Sequence, residues 1–538
     1  MERIALGGIL GLLALYVFRP IWDIDLFWHI AAGRHFLETG GIPTTDIFSP
    51  IDPQKTWVTF QWGYQVLVHL LEELGGLDLI RGAHAAVMWG AFALFAYHCR
   101  RSLRMGPTAT VLLVALVVVL FGDRIRVRPH VFNLLGWVVL LPLLLRGSAT
   151  TEAVGLRSRP IVFSVEAHLL TAVTLAIWAN LHAGGAFLFL VAAATVPFSA
   201  LVTRWAGHPE SDQESMRSSF TWYAAALFPA LLSPQFIRGN IQALTMLEGT
   251  ESAIGEWWPS WHFFELYGTT GLESHFVCGA FPSLVAVAWA AVAAMWLRSR
   301  GRDVPFRVVL LGLALVVLSH RSVRFVYVAG FGAMLLGPWL VAGLSTHGPA
   351  MGAWVRRGGL LLVAALMAVA YDFNVSAQVG NMDAAVGRAF GGAPMEEARF
   401  PVGQTEFLER TGFEGGIFCQ ANWGGYLLWR LHPGVTVTAD GRGNYVSSVT
   451  ADLAWIYDRN NHLDSANGPA AQAIYDRYPV DVIVHQHPVW PMGFTPPRSQ
   501  WVPVYSDHKG AIWVRNTPNG RAYLEGLRDL KQAEESGP

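Results

Sequence analysis

The sequence predicts a polytopic α-helical membrane protein of about eleven spans, followed by a C-terminal α/β domain outside the bilayer. Three observations carry this. Of 538 residues, 53% are hydrophobic and only 14% charged, whereas soluble domains carry roughly 25% charged residues. Mean hydropathy is +0.35. Apolar stretches of spanning length recur up to residue 372 and then stop, and the rest reads as alternating helices and strands. A formal net charge of −1 gives no reason to expect a nucleic-acid partner.

The apolar stretches lie near 4–21, 78–98, 107–122, 130–145, 165–181, 184–203, 219–235, 275–297, 305–319, 325–344 and 357–372. No Ala-x-Ala-like site follows the first, so it reads as retained rather than cleaved. Basic residues orient the spans. Arg100, Arg101 and Arg104 follow the second span, and Arg146, Arg157 and Arg159 the fourth. Arg204 and Arg217 flank the loop after the sixth. Arg298, Arg300, Arg302 and Arg307 follow the eighth, and Arg356 and Arg357 precede the last. These loops fall on one side, the cytoplasmic one, together with the N-terminus. The predicted division is a transmembrane part over 1–372, with outer loops at 21–77 and 236–274, and a soluble outer domain over 373–538.

In the first outer loop, helical spacing runs from Leu26 to Leu37 and is broken by Gly40-Gly41-Ile42-Pro43. A second amphipathic pattern runs from Phe60 to Leu74, with Trp62, Val66 and Leu70 on one face; both helices are expected along the membrane surface. In the tail a helix is predicted near 403–411. A strand at 416–420 leads into a Trp-Gly-Gly-Tyr turn, and a strand at 435–439 ends on Asp440-Gly441-Arg442. A helix over 447–459 and strands at 481–485, 501–505 and 511–515 complete the pattern.

Five polar groups could carry chemistry. Asp23, Asp25 and His29 stand where the first span ends. Asp25 and His29 are i, i+4 neighbours on a helix, suited to a general base or a divalent cation, although a helix cap explains an Asp equally well. Glu256 lies in Thr250-Glu251-Ser252-Ala253-Ile254-Gly255-Glu256-Trp257-Trp258-Pro259, where the indoles suit either a sugar ring or an interfacial anchor. Arg124, Arg126 and Arg128 with His130, and Arg321 and Arg324 with His320, sit on the outer side against the charge trend. They either snorkel or meet an anion such as a lipid phosphate. Asn180 and His182 mark a tight outer turn, polar by default. Asn422-Trp423-Gly424-Gly425-Tyr426 and Asp440-Gly441-Arg442 sit at strand ends, Asp440 and Arg442 forming either a structural ion pair or part of a substrate surface. The cysteines, Cys99, Cys278 and Cys419, have no metal-site spacing.

These motifs resemble those of polytopic glycosyltransferases of the GT-C fold, which include protein O-mannosyltransferases, arabinosyltransferases and oligosaccharyltransferase catalytic subunits. Asp23 and Asp25 look like the acidic motif of their first outer loop. Ser252 to Glu256 looks like the Glu-bearing loop of oligosaccharyltransferases. Asn422-Trp423-Gly424-Gly425-Tyr426 is similar to their Trp-Trp-Asp motif but lacks the Asp, which weighs against peptide-sequon recognition. Over most of its length the chain is similar to a group of bacterial membrane proteins with Asp-x-Asp-x-x-Trp-His, Arg-Pro-His, Trp-x-Asn-x-His, Glu-Trp, Trp-Gly-Gly-Tyr and Asp-Gly-Arg elements.

The resemblance implies a GT-C-like protein of the bacterial inner membrane with its C-terminal domain periplasmic. It implies transfer of a sugar from a polyprenyl-phosphate or -diphosphate donor, entering from the membrane lipids, to an extracytoplasmic hydroxyl on a glycan, lipid or protein. Asp25 with Asp23 would act as base. Glu256 would position the acceptor or complete a Mg or Mn site with Asp23 and Asp25. Arg126, Arg128, Arg321 and Arg324 would bind phosphate. His29, His130, Asn180, His182, Trp257, His320, Trp423, Tyr426, Asp440 and Arg442 would line the donor and acceptor sites. Two other readings stay open: a lipid or solute transporter or flippase, and a non-catalytic scaffold with partners in envelope polysaccharide assembly.

Overall fold

The computed structural model describes residues 7–8, 10–11, 13–14, 17–145, 163–205, 216–246, 281–299, 306–321, 325–345, 392–444, 447–457, 468–486 and 500–535. The chain divides into two compact units: a helical one, Met1–Arg19 with Arg81–Gly392, and an α/β one, Pro20–Ile80 with Ala393–Pro538. Helix α1 spans Asp25–Thr39. It ends at Gly40, whose φ of 69° is the left-handed conformation a C-terminal glycine adopts without strain. Helix α2 spans Trp62–Arg101 and joins the second amphipathic pattern to the second apolar stretch. It bends at Gly75-Gly76, where φ of Gly76 is 64°, a value costly for any residue with a Cβ.

The helical unit continues with α3 (Pro107–Phe121), α4 (Val131–Leu144), α5 (Val165–Leu181), α6 (Ala183–Ala193), α7 (Thr195–Trp205), α8 (Met216–Leu231), α9 (Phe236–Met246), α10 (Phe281–Ser299), α11 (Phe306–Arg321) and α12 (Val326–Ser345). Pro107 starts α3, where its missing N–H costs nothing. Ser164 caps α5 by accepting from the Ala167 amide at 3.3 Å. Trp137 of α4 stacks on Phe331 of α12 at 4.4 Å between centroids. On α5 the residues Val165, Leu169, Val173 and Ile177 recur every fourth position and are all exposed, a stripe that suits hydrocarbon better than water.

Among the described residues, two helical stretches are long and apolar enough to cross a membrane, Trp62–Arg101 and Ala183–Trp205. Shorter apolar helices include Pro107–Phe121, Val131–Leu144 and Val165–Leu181. The eleven spans of the sequence reading are therefore not established by helix length. The expected span at 357–372 lies outside the described residues.

In the α/β unit, α13 (Val402–Arg410) precedes β1 (Gly415–Cys419), α14 (Ala421–Leu431), β2 (Val435–Val437), α15 (Ser447–Tyr457), α16 (Gly468–Tyr475), β3 (Val482–Gln486), β4 (Trp501–Ser506), β5 (Gly510–Arg515) and α17 (Pro518–Glu535). The sheet order is β2-β1-β3-β5-β4. Strands β2, β1 and β3 are parallel, and β5 and β4 continue the sheet antiparallel. Strands β1 and β3 are buried along both faces, as parallel strands between two layers must be. Edge strand β4 tolerates Pro503.

Alternating side chains separate two cores. Ile417, Val482 and Val484 join Val437, Trp423 and Ile512 on one face, whereas Phe418 and Ile483 join Val449, Ile456 and Tyr475 on the other. The first core is closed by Trp28, Ala31, Ala32 and Phe36 of α1 and by Phe48 and Trp57. The apolar face of α1 is thus spent on the sheet rather than on a membrane surface, and Trp62 and Val66 pack on the same core. Residues 20–80, read from sequence as a loop of the membrane part, form a layer of the sheet domain. The two parts of this unit also meet at a parallel bridge, with the Ile21 amide donating to Pro394 O and the Glu396 amide to Ile21 O, both at 2.8 Å.

One element differs in kind. The Trp-Gly-Gly-Tyr segment, predicted as a turn, lies within α14. Trp423, Leu427 and Leu431 recur at helical spacing, which outweighs the low helix propensity of two glycines.

At the end of α14, Arg34 Nη2 of α1 donates to Trp429 O (2.8 Å) and His432 O (3.1 Å). Burial, then His35 and Arg34, push the His432 imidazole down to about 4. Its unfolded value is roughly 6.5. The fold therefore holds His432 neutral, and the associated stability is complete above pH ~6.5 and lost as pH falls through ~4, on the order of 3 kcal/mol at full protonation. We expect the melting temperature of the full chain to fall between pH 7 and pH 4.5, and to fall less steeply in His432→Gln; identical slopes would contradict this.

Candidate active site

The first turn of α1 presents the acidic pair. Asp23 is buried, 1% exposed, and its Oδ1 accepts from the Asp25 amide at 2.9 Å, an Asx-type closure that starts the helix. Asp25 is left half-exposed in the first turn, where the helix dipole favours a carboxylate. Trp28 Nε1 lies 3.4 Å from Asp25 Oδ1. His29, one turn on, points inward: it is buried, with its ring centroid 3.6 Å from that of Trp28 and 5.1 Å from that of Tyr64.

Glycines of the two tail motifs make room for this turn. A Cβ on Gly441 would stand 2.0 Å from Asp25 Oδ1 and 3.3 Å from Trp28 Nε1. On Gly425 it would stand 2.9 Å from Ile24 O, and on Gly424 2.0 Å from Ala439 O. The start of α14, the end of β2 and the start of α1 thus meet closely enough that no side chain fits between them. Asp23, Asp25, the Trp-Gly-Gly-Tyr motif and the Asp-Gly-Arg motif are brought together. Trp423 and Tyr426 are core residues: Trp423 donates to Arg399 O at 3.2 Å, and Tyr426 stacks on Phe400 and meets Phe27 edge-on.

Arg442 anchors the Gly441 turn. Its side chain is 4% exposed, that of Asp46 0% and that of Asp440 3%. Nη2 meets Asp440 Oδ2 at 2.6 Å, Nε donates to both Asp440 oxygens, and Nη1 donates to Asp46 Oδ1 at 2.9 Å. Phe48 and Trp57 rings lie 4.7 and 4.9 Å from the guanidinium carbon. Asn444 Nδ2 donates to the other Asp46 oxygen at 2.8 Å. Burial alone would lower the Arg442 pKa, but Asp440 and Asp46 outweigh it and raise it. Arg442 and Asp440 therefore make a buried ion network, one of the two roles the sequence left open. Asp46, its third member, was missed; its pairing spans 396 positions and leaves no local signal.

In the helical unit the Arg-Pro-His and Trp-x-Asn-x-His motifs meet. The His130 ring lies 4.9 Å from His182 and 5.9 Å from Tyr327 between centroids. Trp178 Nε1 donates to Asn133 Oδ1 at 3.1 Å, and His182 Nδ1 accepts from the Gly185 amide at 2.9 Å, capping α6. Arg124, Arg128, His130 and His182 are buried, and Arg126 is half-buried. Asn180 donates back to Ala176 O. His320 Nδ1 lies 2.9 Å from Val316 O, and Arg321 is exposed at the end of α11. Glu256, Trp257 and Arg324 lie outside the described residues.

Among the described residues no three of His, Cys, Asp and Glu are gathered as a cation site requires. Asp23 is engaged by the Asp25 amide. Glu256, the third residue of the expected Mg or Mn set, lies outside the described residues.

Arg442→Met should cost about 3–5 kcal/mol, because it strands two buried carboxylates. Adding Asp46→Asn should restore part of the loss. The urea midpoint of the full chain reads this, and an unchanged midpoint in Arg442→Met would remove the network from its anchoring role.

No protein-family model matches the chain, and no curated protein sequence matches it. Among solved structures, a crystal structure of the Archaeoglobus fulgidus oligosaccharyltransferase, tethered through a disulfide to an acceptor peptide containing the NVT sequon, is similar in fold. Identity is 12% and the TM-score 0.53, over 90% of this chain and 69% of that one. At this identity the likeness to that oligosaccharyltransferase is one of fold.

Proposed function

We propose that the protein is a membrane glycosyltransferase that moves a sugar from a polyprenyl-phosphate or -diphosphate donor to an extracytoplasmic hydroxyl. The observation that carries the reading is the setting of Asp25: a half-exposed carboxylate in the first turn of α1, its amide donating to buried Asp23, and packed so closely on Gly441 that a Cβ there would have to displace it. The oligosaccharyltransferase-like fold supports the reaction class at a coarse level.

In the proposed step Asp25 accepts the proton of the acceptor hydroxyl as its oxygen attacks the anomeric carbon. The bond from that carbon to the phosphate oxygen breaks, and the lipid phosphate leaves with the electron pair. Arg126 and Arg128, followed by His130, are the proposed holders of that phosphate, offsetting the charge that develops on it. Arg321 and Arg324 have the same proposed role, and Glu256 is proposed to orient the acceptor. Trp28 Nε1 donates to Asp25 Oδ1 at 3.4 Å, a contact proposed to orient the carboxylate.

Asp25→Asn keeps the shape and removes the base, and should lower transfer in reconstituted membranes at least 100-fold with unchanged melting; full transfer by this variant defeats the assignment. Gly441→Ala should displace the Asp25 carboxylate. We expect kcat to fall about tenfold or more with the donor KM little changed, a 1 Å misplacement being worth about that much or more. Wild-type kcat in this variant would show that the close approach has no bearing on the reaction.

A further inference from the structure

In the helical unit two helix starts are neighbours. His130 directly precedes α4 and His182 directly precedes α6, and their ring centroids lie 4.9 Å apart. The positive end of a helix dipole favours an anion. Asn133, in the first turn of α4, adds an independent observation. It is fully buried, 0% exposed, and Trp178 Nε1 donates to its Oδ1 at 3.1 Å. An indole N–H can only donate, so the oxygen is the end that faces Trp178 and the NH2 group is the opposite end. That NH2 group meets no hydrogen-bond partner among the described residues, and a buried donor in that state calls for an acceptor. His182 is fixed in a similar way. The Gly185 amide donates to Nδ1 at 2.9 Å, so Nδ1 holds no proton and the ring N–H is at Nε2. A Cβ on Gly185 would stand 1.7 Å from Asn133 Oδ1 and 2.9 Å from His182 Nδ1, so the two side chains share one corner. The acceptor atoms Asn133 Oδ1 and His182 Nδ1 are both taken by protein donors, and what the pair offers a ligand is N–H.

We infer that Asn133 and His182 donate to a second phosphate of the sugar donor, which makes that donor a lipid-linked diphosphate. The ligand of this corner must accept hydrogen bonds and has none to give. A phosphate oxygen meets that condition, whereas a sugar hydroxyl or a water also brings an O–H that needs an acceptor. Buried Arg124 and Arg128 stand on the segment that leads into His130, and with two helix starts beside them the surroundings favour an anion over a neutral carbonyl. Arg126 and Arg128 with His130 are the proposed holders of one phosphate. Asn133 and His182 lie on α4 and at the start of α6, and the His130–His182 ring pair joins the two sets of donors. A diphosphate offers a phosphate to each set, whereas a single phosphate diester leaves one set unmatched.

This inference rests on the reading above, whose donor it narrows to one class, but its test is binding and needs no transfer. The full chain in detergent is titrated with inorganic phosphate, inorganic diphosphate, farnesyl phosphate and farnesyl diphosphate. Wild type should bind each diphosphate about tenfold or more tighter than the matching phosphate, the worth of a further hydrogen bond to a charged group, and farnesyl diphosphate tighter than the inorganic ion. His182→Asn keeps the α6 cap, asparagine being a strong N-cap residue, and lacks the Nε2 donor. Asn133→Leu keeps the bulk and lacks the NH2 group. Both should bind diphosphate as weakly as phosphate, and His182→Asn should melt as wild type does, which keeps the test decisive where Asn133→Leu fails to fold. Equal affinity of wild type for phosphate and diphosphate, binding of neither, or an undiminished diphosphate preference in His182→Asn overturns the second seat. Inorganic diphosphate bound as tightly as farnesyl diphosphate would mark a site for the free ion and overturn the lipid-linked assignment. Full transfer by Asp25→Asn would remove the proposed base and leave these affinities standing; equal affinity of wild type for phosphate and diphosphate would remove this seat and leave the reaction, with a monophosphate donor, standing.

Discussion

One guanidinium bears on most of the α/β unit. Arg442 holds Asp440 from its own turn and Asp46 from the first loop, between the rings of Phe48 and Trp57. A buried charge is tolerated only when its hydrogen-bonding groups are met, and here two carboxylates meet it. The same contacts fix Gly441, the wall against which Asp25 rests. The geometry of the candidate base is thus set by an interaction that itself touches no substrate. Hydrophobic residues of similar volume could hold the layers together as well or better. What they could not supply is register, since only one position of the loop brings Asp46 to Arg442.

The sheet domain was largely legible in the sequence because its signals are local. Short apolar runs at 415–419 and 482–486 mark strands buried on both faces, and each strand lies within a residue or two of its expected place. Trp-Gly-Gly-Tyr was misread for an instructive reason. Gly424 and Gly425 look like breakers, yet they sit where α14 crosses Ala439 and Ile24, and their lack of side chains is a packing requirement inside a helix. The layer formed by α1 and residues 40–61 was not legible either. An amphipathic helix beside a membrane span has the same pattern whether its apolar face meets lipid or a sheet made nearly four hundred residues later. Asp25 was found because it stands beside another acid, whereas Asp46 has no such neighbour.

In the helical unit, composition predicted hydrophobicity, whereas helix length among the described residues does not establish the number of spans. Helix α3 has 15 residues, about 22 Å of rise, against a hydrocarbon core of about 30 Å. Helices α6 and α7 divide at Ala194 within a single stretch, Ala183–Trp205, that is long and apolar enough to cross. The motif pairs fared differently. His130 with His182, and Asn133 with Trp178, come from separate stretches and meet in the structure, although spacing along the chain gave no sign of it.

The parallel bridge between Ile21 and Met395 has a temporal consequence. Residues 20–80 emerge from the ribosome long before their partners at 393–538. At about 5–20 residues per second the interval for a separation of 396 positions is roughly 20–80 s. Throughout that time Ala31, Phe36, Phe48 and Trp57 have no core to enter, and Asp46 has no cation. The first loop is a half-domain held in waiting while the helical unit is made, and a chain interrupted before Arg442 would display an apolar face to chaperones and proteases.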